Sequence, residues 1–393
     1  MTGSLGILWS GPLYGESGYA EEARAMIRAL SDSPVRAGAR SIGMEVGRTA
    51  LDPVSVDAVD RMCRQPLQPP YVEVVHLYRP ALPFRNQAAL RVWRTMFETD
   101  SLPSAWVACA NTVDEVWVPS TFNYGTFLAA GVSEDKLRVI PQTVDVNRWT
   151  PDGERSYLAP LETFVFLSIF RWQHRKGWDV LIRAFIEEFT GVDDVALLIK
   201  TSKFHVSEHG VHMPSPNLHA EFARAVAESG AGVSDPPRIV LHDGWVPGDA
   251  FPRLMRSADC FVLPSRGEGW GRPYMEAMAS GVPVIGTAWG GSTEFMTDEN
   301  ALRLNYQLTE VATRATHEWP LLAPGMRWAE PDIDHLRVLM RSVYEDRDLA
   351  ARKGLAGRLA MVRHFASRPV VARLQDALGE LEQAAAWREE SMM

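Results

Sequence analysis

The feature that most constrains this chain is an alternation running along nearly all of it. Short apolar runs of β type are separated by amphipathic stretches with apolar residues at helical spacing. Such alternation is the mark of parallel α/β folding, because each helix carries the chain back to the same edge of a sheet. In the first half, strands are expected at Leu5–Ser10, Val72–Leu77, Trp93–Phe97, Glu115–Pro119 and Leu137–Pro141. A helix opens at Tyr19 with Glu21 and Glu22 in its first turn, where acidic groups suit the helix dipole. Another follows Ser120. The polar, turn-rich stretch Pro151–Pro160 then separates a second series, with strands at Phe164–Ile169, Val195–Lys200, Arg238–Leu241, Cys260–Pro264 and Val282–Gly286. Its helices fall at Gly177–Phe189, Leu218–Glu228, Asp249–Ser257 and Pro273–Ser280, and three more follow at Asp332–Tyr344, Asp348–Phe365 and Pro369–Arg388. A chain of 393 residues is too long for one ordinary core. Two α/β domains are expected, with a cleft between the carboxyl edges of their sheets, where open parallel sheets bind ligands.

Charge and composition narrow the function. A formal net charge of −9 argues against a nucleic-acid binder, which needs a dense basic face. No polybasic cluster stands out for anionic lipid; the candidate Phe84–Arg94, with Arg85, Arg91 and Arg94, reads as a surface segment with packed aromatics. No apolar run reaches the length of a membrane span. The opening MTGSLGILWSGPLYG reads as a first strand rather than a signal peptide. Cys63, Cys109 and Cys260 have no metal or disulfide spacing and read as reduced core thiols of a cytoplasmic protein.

The densest chemistry lies between Cys260 and Met296. The strand CFVLP runs into the loop RGEGWG, and a helix starts near Pro273, a favoured first-turn residue. Glu268 then lies at the carboxyl edge of the sheet and Glu276 in the following helix, beside the backbone of Gly269, Trp270 and Gly271. Glycines let a ligand approach the backbone, helix-start amides suit phosphate oxygens, and a carboxylate accepts from vicinal sugar hydroxyls. A second glycine-rich turn, at Gly290-Gly291, feeds the same edge. The plain alternative makes Glu276 a dipole partner and Glu268 a solvated loop residue; the surrounding glycines weaken it.

The run PSRGEGWGRPYMEAMASGVPVIGT resembles the signature of family 4 glycosyltransferases, in which two glutamates are separated by seven residues. The phrases FRWQHRKGWDVLIRAF, PQTVDVNRW and VDEVWVPSTFNYGTFLAAGV resemble other parts of that family, so the likeness covers most of the chain. It implies a GT-B fold: two Rossmann-like domains, residues 1–155 and 156–368, with the segment 369–393 crossing back to the first. It implies that Glu276 holds the nucleotide ribose and Glu268 the donor sugar, while Arg171 and Lys176 neutralise the diphosphate. Fixed cations there would stabilise the charge gained by a departing nucleoside diphosphate. Gly269, Trp270, Gly271 and Arg272 would line the donor, and Trp245 and Val246 would frame its base. No clear Asp-x-Asp metal motif occurs in an acidic loop, so neither a metal nor a cofactor is expected. The implied reaction is transfer of a hexose from a nucleotide sugar, with UDP the expected nucleotide, and with retention at the anomeric carbon.

The first half carries the acceptor question. In GPLYGESGYA, Gly15 would approach the donor and Glu16 the acceptor, although a plain tight turn fits equally. The segment RTMFETDSLPSAW has Glu98 and Asp100 where relatives of the family carry a histidine, and either carboxylate could contact sugar hydroxyls or deprotonate an acceptor. Their plain alternative is a helix cap. His76 is a further acceptor candidate, against the ordinary case of a buried, satisfied histidine. An acidic lining by Glu16, Glu98 and Asp100 would suit a polyol or aminosugar acceptor, for example an aminocyclitol in antibiotic biosynthesis. A cell-surface polysaccharide or lipid-linked acceptor is the rival, and a non-catalytic nucleotide-sugar binding protein the rival of another class. His205, His209, His212 and His219 fit no closed metal motif and read as a loop. The run MRWAEPDIDHL, with Trp328 and Glu330, reads as a turn packing on the second domain.

Overall fold

β-branched and aromatic runs become strands and the amphipathic stretches between them become crossover helices, in two successive series. The computed structural model describes residues 5–15, 17–43, 51–156, 163–202, 204–206, 212–214 and 217–391. The first series is β1 (Gly6–Gly11), α1 (Gly18–Ser31), β2 (Ala37–Ser41), α2 (Pro53–Arg64), β3 (Tyr71–His76), β4 (Leu90–Arg94), α3 (Ser104–Ala110), β5 (Glu115–Val118), α4 (Thr121–Ala129) and β6 (Leu137–Val139). The second opens with β7 (Phe164–Arg171), α5 (Trp178–Glu188), β8 (Val195–Ser202), β9 (Phe204–Val206), β10 (His212–Pro214) and α6 (Leu218–Ser229). It continues through β11 (Arg238–His242), α7 (Phe251–Arg256), β12 (Cys260–Leu263), α8 (Arg272–Ala279), β13 (Val284–Thr287) and β14 (Leu302–Leu304). The remainder is β15 (Tyr306–Glu310), α9 (Thr313–Glu318), β16 (Arg327–Pro331), α10 (Ile333–Glu345), α11 (Arg347–Ala360) and α12 (Ser367–Ser391).

Among the described residues these strands form two six-stranded sheets, ordered β2-β1-β3-β4-β5-β6 and β11-β8-β7-β12-β13-β14, with every neighbouring pair parallel. In each sheet the winding direction reverses once, between β1 and β3 in the first and between β7 and β12 in the second. Loops diverge at such a point and leave a crevice at the carboxyl ends of the strands. The fold is the GT-B arrangement of two Rossmann-like units.

Each sheet has its own core, but two elements cross over. Val370, Leu374, Ala377, Leu378 and Leu381 of α12 pack into the core formed by Ile7, Trp9, Met26, Ile27 and Val59 of the first unit. The antiparallel hairpin β15–β16, with α9 at its tip, sends Val311, Ala315, Leu322, Met326 and Trp328 into a cluster with Trp93, Phe97, Trp106 and Phe127. Trp328 therefore bridges the units: it joins the first unit's cluster and also meets the His174 ring of the second, with centroids 5.9 Å apart. Several elements had no strong sequence signal. β2 reads AGARS, with small residues because Gly38 lies under Leu67, where an added Cβ would come within 3.1 Å of the leucine Cβ. The segment read as a histidine loop contains the short antiparallel pair β9–β10, and His209 lies outside the described residues. The N-terminal four residues and residues 157–162 of the linker region also lie outside them. Of the thiols, Cys63 is exposed rather than in a core, Cys109 half-buried and Cys260 buried. No described helix is long and apolar enough to cross a membrane.

Candidate active site

After β7 the chain makes a tight turn at His174–Lys176 and enters α5 through Gly177. Gly177 has φ +65°, and a Cβ there would sit 1.9 Å from the Pro264 carbonyl oxygen, so only glycine lets this turn lie on the end of β12. The turn aims Arg175 and Lys176 at the loop after β12. There the Lys176 Nζ donates to Glu268 Oε1 at 2.5 Å, the Ser265 hydroxyl donates to the same oxygen at 2.8 Å, and Arg175 Nη1 lies 3.6 Å from Glu268 Oε2. Burial alone would raise the Glu268 carboxyl, but Lys176 and Arg175 outweigh it and hold it below its ordinary value. Burial and the Arg175 charge lower the Lys176 ammonium, and Glu268 restores only part of that. The result is a desolvated pair of cations around one ionised carboxylate at the second sheet's switch point.

The first unit faces this cluster with the stretch after β4. Glu98 Oε1 lies 3.8 Å from Arg175 Nη2, and the Glu98 carbonyl oxygen sits where a Cβ on Gly267 would come within 2.2 Å. Burial pushes the Glu98 carboxyl up to about 7; Arg175 opposes that shift and Glu268 adds to it. Asn123, at the start of α4, accepts from the Phe97 amide at 2.6 Å and donates to the Gly269 carbonyl at 2.9 Å, tying the two units together beside the cluster. The Tyr19 hydroxyl donates to the Met96 carbonyl at 3.0 Å, and burial together with the Glu98 charge raises the phenol far above its ordinary value. Arg175, Asn123 and Tyr19 escaped the sequence reading. The only signals were a second basic residue beside Lys176, an asparagine opening a helix and a tyrosine in a first turn, all of them common.

The other candidates divide. Arg171 ends β7 with its side chain exposed at the same edge. Glu276 belongs to a neighbouring charged group: Arg272 Nη2 lies 3.2 Å away, while Arg272 Nη1 reaches Gln142 Oε1 and the Thr143 carbonyl, each at 3.3 Å. Burial raises the Glu276 carboxyl to about 7, with Arg272 opposing and Glu21 of α1 adding. Gly271, at φ +92°, turns the chain into α8. Gly15 offers its carbonyl to Arg24 at 2.7 Å. Val246 is buried after β11, and neighbouring Trp245 is exposed. Trp270 is buried and packs against Phe295 and Phe365, so its ring serves the core. Asp100 does not join the cluster, because its carboxylate accepts from the Arg327 Nε at 2.7 Å and from the Arg327 amide at 2.8 Å. His76 is fully buried, 3.2 Å from Glu22 Oε2, whose partner oxygen takes Arg94 at 2.8 and 2.6 Å. Glu16 lies outside the described residues. Among the described residues no group of three or more His, Cys, Asp or Glu side chains converges to hold a metal.

Residues 162–315 match the family model described as Glycosyl transferases group 1. That match covers about two-fifths of the chain. The chain is 30% identical over 208 residues to a D-inositol 3-phosphate glycosyltransferase of Actinosynnema mirum, covering 49% of this chain and 45% of that protein. It is 32% identical over 202 residues to a GDP-mannose-dependent alpha-(1-6)-phosphatidylinositol monomannoside mannosyltransferase of Mycolicibacterium smegmatis, covering 48% of each. The matched region thus spans about half the length of these curated relatives. In fold the chain resembles Anabaena HepE in complex with UDP-glucose, at a TM-score of 0.66 and 15% identity over 96% of this chain and 100% of that chain.

Proposed function

We propose that this chain is a glycosyltransferase that moves a hexose from a UDP-sugar to an acceptor hydroxyl with retention of anomeric configuration. The observation that carries the proposal is the Arg175–Lys176–Glu268 cluster at the switch point between β7 and β12, closed over by Glu98. The two cations would take the charge that a departing nucleoside diphosphate gains, in a site dry enough for that charge to count. Glu268, already ionised and oriented by Ser265, would accept from the donor-sugar hydroxyls. Glu276 would serve the ribose, exchanging part of its contact with Arg272. Retention rests on the family resemblance.

The acceptor that fits best is a polyol or sugar without a cationic group. Of the three carboxylates that would have lined a cationic aminocyclitol site, Asp100 is neutralised by Arg327 and Glu98 faces Arg175. The matched relatives include a mannosylfructose-phosphate synthase of Agrobacterium fabrum and the inositol 3-phosphate enzyme, whose names speak of sugar and polyol phosphates. GDP is the rival nucleotide, since the mannosyltransferase relative is GDP-mannose-dependent.

The deciding experiment measures melting-temperature shifts with UDP and GDP, followed by donor turnover with the sugars of the better nucleotide. A UDP shift, with turnover lost in Glu268→Gln, supports the reading. A larger GDP shift reassigns the donor. Nucleotide binding with no turnover of any donor, with or without polyol acceptors, makes the protein a binding module. The anomeric coupling constant of the product decides retention.

A further inference from the structure

Helix α11 is built to be approached from both sides. Its inner face carries Ala350, Gly354, Gly357 and Met361 and lies close against α8: a Cβ on Gly354 would come within 2.2 Å of the Gly281 carbonyl oxygen. The outer face should then be polar, as on an ordinary surface helix. Instead the helix and the π-helical turn that follows it, Met361–Phe365, present Leu355, Leu359 and Val362, which are 62%, 60% and 43% exposed. Their spacing of four and three residues makes one continuous apolar stripe.

The charges after the start of the stripe are basic, while exposed Asp348 precedes it on the same face. From Leu349 to Gln375 the sequence contains six Lys or Arg residues and no Asp or Glu, in a chain with 49 acidic residues among 393. Two of the six serve the fold: Arg358 donates to the carbonyls of Val146, Trp149 and Ala279, and Lys353 donates to that of Asp298. Arg352, Arg363, Arg368 and Arg373 are exposed, and none forms an ion pair among the described residues. Neighbouring α10 shows the contrast, since its Arg337 and Arg341 are neutralised by Glu188 and Asp193. The acidic residues before the stripe, Asp346 and Asp348, belong to the start of α11, where Asp346 caps the Leu349 amide at 2.8 Å. The sequence hid the feature because its cations are dispersed along a helix and never form a run.

We infer that the outer face of α11 docks on an anionic lipid surface, with Leu355, Leu359 and Val362 entering the headgroup boundary and the adjoining Arg352 and Arg363 meeting lipid phosphates. Exposed apolar residues flanked by unpaired cations are the combination that an interfacial helix uses, each basic residue adding electrostatic attraction to the apolar burial. A second copy of the chain fits less well. A two-fold contact would set this cationic stripe against itself.

The test is co-sedimentation of the full chain with vesicles of mixed phosphatidylglycerol and phosphatidylcholine, and with phosphatidylcholine alone. Binding is expected to the anionic vesicles only, and to weaken as salt rises. Leu355→Gln/Leu359→Gln and Arg352→Gln/Arg363→Gln should each reduce it by about tenfold. All four side chains are on the surface, so the melting temperature and any nucleotide-induced shift should stay as in the parent. Absence of binding, or binding that survives both double substitutions, overturns the inference. A concentration-dependent dimer abolished by the leucine substitutions overturns it too, by assigning the stripe to a second copy.

Discussion

In the folded chain the Glu98 carboxyl is raised to about 7, first by burial and then by the Glu268 charge, with Arg175 opposing. An unfolded glutamate titrates near ~4.3. Between those values the folded state binds more protons than the unfolded state, so stability falls as pH rises from about 4.5 to about 7. Glu98→Gln removes that penalty. Urea midpoints should show the variant close to the parent at pH 5 and more stable at pH 8, by on the order of 2 kcal/mol. A difference that does not change with pH would mean that the ionised form is not strained. The same substitution should cost most of the transfer activity, since a site residue kept at the expense of stability is kept for chemistry. Lys176→Met makes a complementary prediction. It leaves Glu268 without its closest cation, so a nucleoside diphosphate should bind at least about tenfold more weakly while the bare nucleoside binds as before. Titration calorimetry with both ligands checks it; equal losses would place Lys176 in the fold rather than on the phosphates. Glu268 and Lys176 were legible in the sequence because their motif spacing is fixed. Arg175 was not, because its direction depends on the left-handed Gly177 and on the Pro264 carbonyl beneath it.

At the scale of elements, the hairpin β15–β16 changes the picture most. YQLTE has neither the apolar run nor the clean alternation that marks a strand, and its partner sits beyond a helix some sixteen residues on. The hairpin was illegible because its stability comes from tertiary packing, which sequence periodicity does not report. Its base is fixed to the site loop by Arg266, which reaches Glu330 at 2.7 Å and Asp179 at 2.8 and 2.9 Å. Its tip lies over the donor-side turn, where Glu318 accepts from the His174 amide at 2.6 Å and Trp319 stacks on Phe97 with centroids 5.6 Å apart. One element of the second unit thereby holds the first. Trp328→Ala should cost about 3–5 kcal/mol as a buried aromatic truncation. Because Trp328 packs with Trp93 and Trp106, that loss should appear in the first unit. Calorimetry should then resolve two transitions, the lower one from the first unit. A single transition shifted as a whole would mean that the hairpin does not set the coupling. Asp100→Asn should cost no more than about 1 kcal/mol, as a partly exposed ion pair.

At the scale of the whole molecule, the chain closes its first domain with its last helix. Periodicity made α12 legible as a helix, but its destination came only from the family resemblance, since an amphipathic stripe does not say which core it enters. Val370, Leu374, Ala377, Leu378 and Leu381 are all buried in the core of the first unit. Burying side chains of this kind is worth roughly 1.5–3 kcal/mol for each larger one, and a domain's whole margin is about 5–15 kcal/mol. Removing α12 therefore removes an amount comparable to the stability of the first unit, while the second sheet keeps its own core. A chain ending at Ala366 should have a protease-sensitive first unit and a protected fragment beginning near Phe164. A peptide of residues 367–393 added in trans should restore protection, because the helix docks on a face formed by local elements such as α1. The variant peptide with Leu374→Asp should fail to do so. If the truncated chain were protected throughout, the first core would be self-sufficient and α12 merely attached to it. If the outcome is as expected, the first unit and its half of the site cannot be completed until the second unit has been synthesised, so the facing of Glu98 toward Arg175 is set late in folding.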